Sequence, residues 1–295
     1  MPSSGPETRS PAAKSNTAVP VEQRNALTQL GQISFINTLP VVVPLINGAV
    51  QTDCELVFGT PSELNKKLQA RQLHLGAMSS FYFLEDGDFR LFPDISIAGD
   101  GKVGSVLLFS RIELKDLDGQ IIDVPDSSAT SIKLLQLLLK EEFGVEPILR
   151  KQLDSIDFRS DAKAVLFIGD KALKFDECNN DSMRVDLASW WKKQHSLPFV
   201  FGVWGARKNW AQSNQTHFEE IGASLVQACK LGLSTQLGAV IKEAAGRTGM
   251  THDRLSDYYL NELDYRLTDQ HIKALELFEQ LCRKHGFLPP ASTLC

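Results

Sequence analysis

A chain of 295 residues, 43% hydrophobic and 23% charged, is long enough to bury a large core and too apolar to be disordered or fibrous. Its net charge is −5 with Lys and Arg spread thinly, which argues against a nucleic-acid binder or a polybasic membrane patch and leaves small molecules as the expected partners. Five cysteines without a C-x-x-C spacing suggest neither a disulfide framework nor a structural zinc site, so a reducing cytoplasm is expected.

The first 28 or so residues are rich in Ser, Pro and Ala, hold no apolar run of secretory length, and precede the first cysteine, Cys54. Residues 1–30 are therefore read as a disordered tail rather than a signal or lipid anchor. No run of about 18 apolar residues offers a membrane span. From Gln32, short apolar strands alternate with amphipathic helical segments, the pattern of α/β units on largely parallel sheets. In "GQISFINTLP" (31–40), an apolar alternation ends in Asn37, Thr38 and Pro40, where a strand should hand over to a helix. "CELVFG" (54–59) reads as a strand, and "TPSELNKKLQA" opens a helix with a capping box of Thr60 and Glu63 around Pro61. "LHLGAMSS" (73–80) is the next strand and its exit loop, carrying Ser79 and Ser80.

"DGKVGSV" brackets a crossing strand with two glycines, a hinge or bulge signal, and places Gly104 and Ser105 between two sets of units. The second set begins with the strand "GQIIDVP" (119–125). "SSATS" (127–131) then feeds a helix whose Ile132, Leu135, Leu138 and Leu139 make one apolar stripe. "AVLFIGD" (164–170) is a strand ending in a tight polar turn at Gly169 and Asp170, and "LPFVFGVWGA" (197–206) crosses back. Trp204, on that return, is a candidate to face a cleft, whereas Trp190 and Trp191 pack a helix. From Thr216 to Phe287 the pattern is helical throughout. The expected organisation is one lobe from 31–108 and 202–295, including C-terminal helices, and a second lobe from 109–201.

Asn37 on a strand-to-helix loop serves either as a turn or cap residue or as a ligand to substrate, since α/β lobes bind ligands outside the carboxyl ends of their strands. Ser79 and Ser80 are equally a helix cap and the start of an anion site. The anion reading is stronger for Thr130 and Ser131, which open a helix whose positive end suits a carboxylate. Asp170 either caps the following helix or faces the same cleft. The six histidines form no ligand-like pair, and no H-E-x-x-H, Walker loop or G-x-G-x-x-G occurs, so neither a metal nor another cofactor is expected.

Two α/β lobes joined by two crossings and closed by C-terminal helices make the architecture of type II periplasmic binding proteins. Within it, "ISFINTLP", "GTPSELNKKL", "MSS", "LFPDISIAGDGKVGSVLLFS", "SSATS", "FIGDKAL", "LPFVFGVW" and "YYLNELDYRLTDQHIKALELFEQL" follow in order. Together they resemble the chorismate dehydratase family of the futalosine route to menaquinone, from about Gln32 to about Leu288. The resemblance implies a cytoplasmic hydro-lyase that takes chorismate to 3-[(1-carboxyvinyl)oxy]benzoate and has the next enzyme of the pathway as a candidate partner. It implies Asn37 and Ser105 as catalytic groups, with Ser34, Thr38, Ser79, Ser80, Gly104, Thr130, Ser131, Gly169 and Asp170 binding substrate. Few of these side chains titrate near neutral pH, so the expected base is the enolpyruvyl carboxylate of the substrate. The competing readings are a non-catalytic receptor for an organic anion and the sister 1,4-dihydroxy-6-naphthoate synthase.

Overall fold

A computed structural model describes Met1 and residues 28–152, 157–159, 161–178 and 182–290. The tail expected over 1–30 lies outside the described residues from 2 to 27, but Thr28–Leu30 are strand. They begin β1 (Thr28–Ile33), followed by α1 (Leu39–Ile46), β2 (Cys54–Gly59), α2 (Pro61–Gln69), β3 (Leu75–Ser79), α3 (Ser80–Asp86) and β4 (Phe89–Gly99). The second set is β5 (Val106–Ser110), β6 (Ile121–Pro125), α4 (Ala129–Leu138), β7 (Ile148–Gln152), β8 (Ala164–Ile168), α5 (Gly169–Cys178), β9 (Met183–Asp186) and α6 (Leu187–His195). The chain returns through β10 (Phe199–Arg207) and ends in α7 (Lys208–Ser213), α8 (Gln215–Gly232), α9 (Leu237–Thr248), α10 (His252–Asp257) and α11 (Asp269–Lys284).

The strands form two sheets, ordered β2-β1-β3-β10-β4 and β7-β6-β8-β5-β9. Neither is largely parallel. β1 runs parallel to β2 and β3, but β10 is antiparallel to both its neighbours, and β5 is likewise antiparallel to β8 and β9. The strand arriving from the other lobe enters each sheet against its direction. Sheet membership also moves the lobe boundaries: Val106–Leu108 and Phe199–Phe201 each belong to the opposite lobe from the one expected. The crossings are residues 100–105, between β4 and β5, and 196–198, between α6 and β10.

Local chemistry explains why the elements start where they do. Thr60 accepts from the Glu63 N–H, and Glu63 accepts from the Thr60 N–H at 2.8 Å, the capping box expected at the head of α2. In α4, Ile132, Leu135, Leu138 and the following Leu139 are buried, and Leu134 and Leu137 are buried as well, so the helix is covered on more than one face. Gly169 and Asp170 form the first turn of α5 rather than a polar turn. The C-terminal block is not helical throughout. A π-type turn, Tyr258–Glu262, follows α10, and the chain then runs extended, with Asp264 bridging Ala98 of β4.

Candidate active site

Between the two sheets lies a partly open cavity of about 70 Å³. Its wall is mostly apolar, with Ile33, Phe35, Ile97, Val103, Ile168 and Phe201 among the lining side chains. Of the expected site residues it brings together Asn37, Ser79, Ser105, Thr130, Ser131 and Gly169, and it adds Ser128. No Asp, Glu, His, Lys, Arg, Cys or Tyr lines it among the described residues.

Asn37 is held by the turn that opens this chain's first built segment. A short 3-10 turn, Ile36–Thr38, links β1 to α1, and the buried Thr38 hydroxyl lies 2.7 Å from Ile33 O and 2.9 Å from Phe35 O. The Tyr259 hydroxyl donates to Ile36 O at 2.9 Å and the Tyr265 hydroxyl to Asn37 O at 2.8 Å. With its backbone gripped in this way, Asn37 presents a buried Oδ1 that has no hydrogen-bond partner among the described residues. A buried carbonyl oxygen without a donor is costly, and here it stands at the cavity wall.

Ser105 sits on the first crossing, 3% exposed. Its carbonyl accepts from Gly169 N–H at 2.7 Å, which brings the crossing and the head of α5 together. The turn before it is pinned by Asp186, whose Oδ2 accepts from Val103 N–H at 3.0 Å and Gly104 N–H at 2.8 Å. From the second lobe, α4 points its N-terminus at the cavity. Its N-cap, Ser128, makes no side-chain capping bond among the described residues, so the first N–H groups of the helix remain donors, and the helix dipole adds positive potential.

Five expected site residues do not line the cavity. Ser34 is exposed, with its N–H on Gly59 O. Thr38 spends its hydroxyl on the turn. The Ser80 hydroxyl donates to Val200 O at 2.7 Å, tying α3 to β10. Gly104 has φ +66°, and a Cβ there would fall 2.8 Å from Glu262 Oε2, so its bareness makes room for a buried carboxylate rather than for a ligand. Asp170 faces the other lobe, with Oδ1 3.4 Å from the Ile36 N–H, and burial pushes its carboxyl pKa up while that N–H and the charges of Lys174 and Arg247 partly offset the shift. Trp204 does not face the cleft either. It is fully buried, and its indole N–H donates to Gln32 Oε1 at 3.1 Å.

Sequence reasoning passed over the tyrosines. "YYLNELDY" stood out only as part of a C-terminal pattern, yet Tyr259 and Tyr265 hold the Asn37 turn. The signal was present as three tyrosines within eight residues, whose hydroxyls need partners when buried.

The model of a family described as menaquinone biosynthesis matches residues 28–284. The chorismate dehydratase of Thermus thermophilus is 30% identical over 247 residues, covering 76% of this chain and 85% of the relative. A solved structure from Archaeoglobus fulgidus superposes with a TM-score of 0.71 at 18% identity, over 88% of this chain and 98% of the other. A Candida albicans protein described as having the generic periplasmic binding protein fold superposes with a TM-score of 0.63 at 10% identity, over 90% and 92% of the two chains. These likenesses identify the fold as that of the periplasmic binding proteins. No helix among the described residues is long and apolar enough to cross a membrane.

Proposed function

From the premise that the chain belongs to the menaquinone-biosynthesis family, we propose that it eliminates water from chorismate to give 3-[(1-carboxyvinyl)oxy]benzoate, as a cytoplasmic hydro-lyase of the futalosine route. The product would then go to the next enzyme of that route. One observation carries the reading: Asn37, Ser105 and the head of α4 meet in one mostly apolar cavity whose described lining contains no titrating side chain.

Chorismate is one dehydration short of an aromatic ring, so the reaction asks mainly for geometry. Loss of the C3 proton spreads charge through the C1–C2 double bond onto the ring carboxylate. Thr130, Ser131 and the first N–H groups of α4 are neutral donors suited to that charge in a water-poor site. The enolpyruvyl carboxylate, attached next to C3, takes the proton. It passes the proton to the departing C4 hydroxyl, which leaves as water, and the electrons of the C3–H bond form the third ring double bond. Asn37 and Ser105 orient the reacting groups.

The test is incubation of the full chain with chorismate, with and without a chelator, followed by mass and absorbance analysis. Formation of the aromatic ether with loss of one water, unaffected by chelator, is the expected result. Tight binding of unchanged chorismate would indicate a receptor instead, and absence of binding would favour the sister synthase.

A further inference from the structure

The "YYLNELDY" segment contains a third tyrosine hydroxyl that neither turn nor helix explains. Tyr258 is 0% exposed, and its Oη has no hydrogen-bond partner among the described residues. Burial raises the phenol pKa, and the side chain of Ser105 partly offsets that rise. Unpaired buried hydroxyls are rare because desolvation is not recovered. The segment around it packs on the crossing that carries Ser105: a Cβ at the neighbouring Gly104 would fall 3.0 Å from Arg254 Nη2, and the Arg254 guanidinium lies 5.9 Å from the Tyr258 ring centroid.

The backbone is arranged to put it there. Consecutive residues of an α-helix diverge by about 100°, yet both Tyr258 and Tyr259 are buried, with ring centroids 5.4 Å apart, at the start of the π-type turn Tyr258–Glu262. Such turns are uncommon and recur at functional sites. The far end of the turn is anchored by Glu262, 5% exposed, which pairs with Arg254 at 2.9 Å and Lys102 at 2.6 Å. Lys102 belongs to the same crossing as Ser105. Tyr259 and Tyr265 meanwhile hold the carbonyls of Ile36 and Asn37.

We infer that "YYLNELDY" is a positioning cradle for the two candidate catalytic residues, in which Tyr258 orients Ser105. Turned toward Ser105 Oγ, the Tyr258 hydroxyl occupies an acceptor position of that oxygen and leaves the serine proton to point into the cavity. Tyr258 touches no substrate and acts only through Ser105. The inference rests on the dehydratase reading of the cavity.

The experiment compares full-length wild type, Tyr258→Phe, Ser105→Ala and the double variant on chorismate. Tyr258→Phe should fold, with a Tm within a few degrees of wild type, because it removes one hydroxyl and at most one neutral hydrogen bond. Its kcat should fall on the order of 10- to 100-fold with KM nearly unchanged, the signature of lost orientation. In the Ser105→Ala background the same change should cost nothing further. An unchanged kcat, or an undiminished loss without Ser105, overturns the role. Wild-type protein inert toward chorismate overturns the dehydratase reading and this role with it, whereas active wild type with an equally active Tyr258→Phe overturns this role alone.

Discussion

The backbone N–H of Phe81 donates to Thr130 Oγ1 at 2.9 Å, joining the first turn of α3 in one lobe to the first turn of α4 in the other. Thr130 therefore does two things at once: it lines the cavity and it closes the cleft above it. Because its oxygen accepts from Phe81, its own proton stays available to a carboxylate within. On the proposed reading, ligand binding and lobe closure would be linked through one side chain; Ile36 N–H on Asp170 adds a second bond between the lobes.

Thr130→Val keeps the shape and loses both bonds. It should raise KM by about 10-fold, equivalent to about 1.4 kcal/mol, with a smaller change in kcat. Asn37→Ala should do the reverse, lowering kcat on the order of 100-fold through lost orientation. Steady-state kinetics on chorismate separate the two, and an exchange of these patterns would refute the division between binding and orienting groups.

A chorismate analogue whose enolpyruvyl carboxylate is replaced by an amide of the same shape should bind about 10-fold more weakly, through loss of charge-assisted hydrogen bonds. It should not dehydrate, since its proton acceptor is gone. Turnover at a rate near that of chorismate would require a base from the protein.

Asp170→Asn retains an oxygen for the Ile36 N–H but removes the charge. Burial raises the folded-state pKa of Asp170, so the wild type loses stability as pH rises from the unfolded value of about 3.9 through the folded value. The Tm advantage of Asp170→Asn should thus be near zero in acid and grow to a few degrees by neutral pH. Melting curves across that range check it, and a difference that does not change with pH would mean that Lys174 and Arg247 fully balance the charge.

Gly104→Ala should destabilise the protein by about 1–3 kcal/mol. The residue has φ +66°, and the new methyl would meet Glu262 Oε2 at 2.8 Å and Arg254 Nη2 at 3.0 Å. Gly119→Ala is the control, with φ +64° but nothing within 4 Å, and should cost less. Urea unfolding compares them, and equal losses would show that backbone strain alone is responsible.

Local order was legible from the residues themselves. The capping box at Thr60, the β2 strand and the stripe of α4 follow from side-chain periodicity and end chemistry, which act within a few residues. The same locality placed Asn37, Ser79, Thr130 and Ser131 at strand ends and helix starts, where an α/β lobe must bind its ligand. What those residues touch was settled only by tertiary structure. Ser79 lines the cavity while its hydroxyl oxygen caps α3 by accepting from Tyr82 N–H, whereas the Ser80 hydroxyl turns to a backbone carbonyl of β10, which arrives 120 residues later. The Asn37 turn is closed by Tyr265 across 228 residues, and the cleft by Asp170 across 134 from Ile36. Such pairings leave no periodic trace, because partners far apart along the chain are brought together by lobe packing rather than by spacing. The strand alternation of "ISFINTLP" therefore determined where Asn37 would stand, and the fold of a distant tyrosine-rich turn decided how it is held.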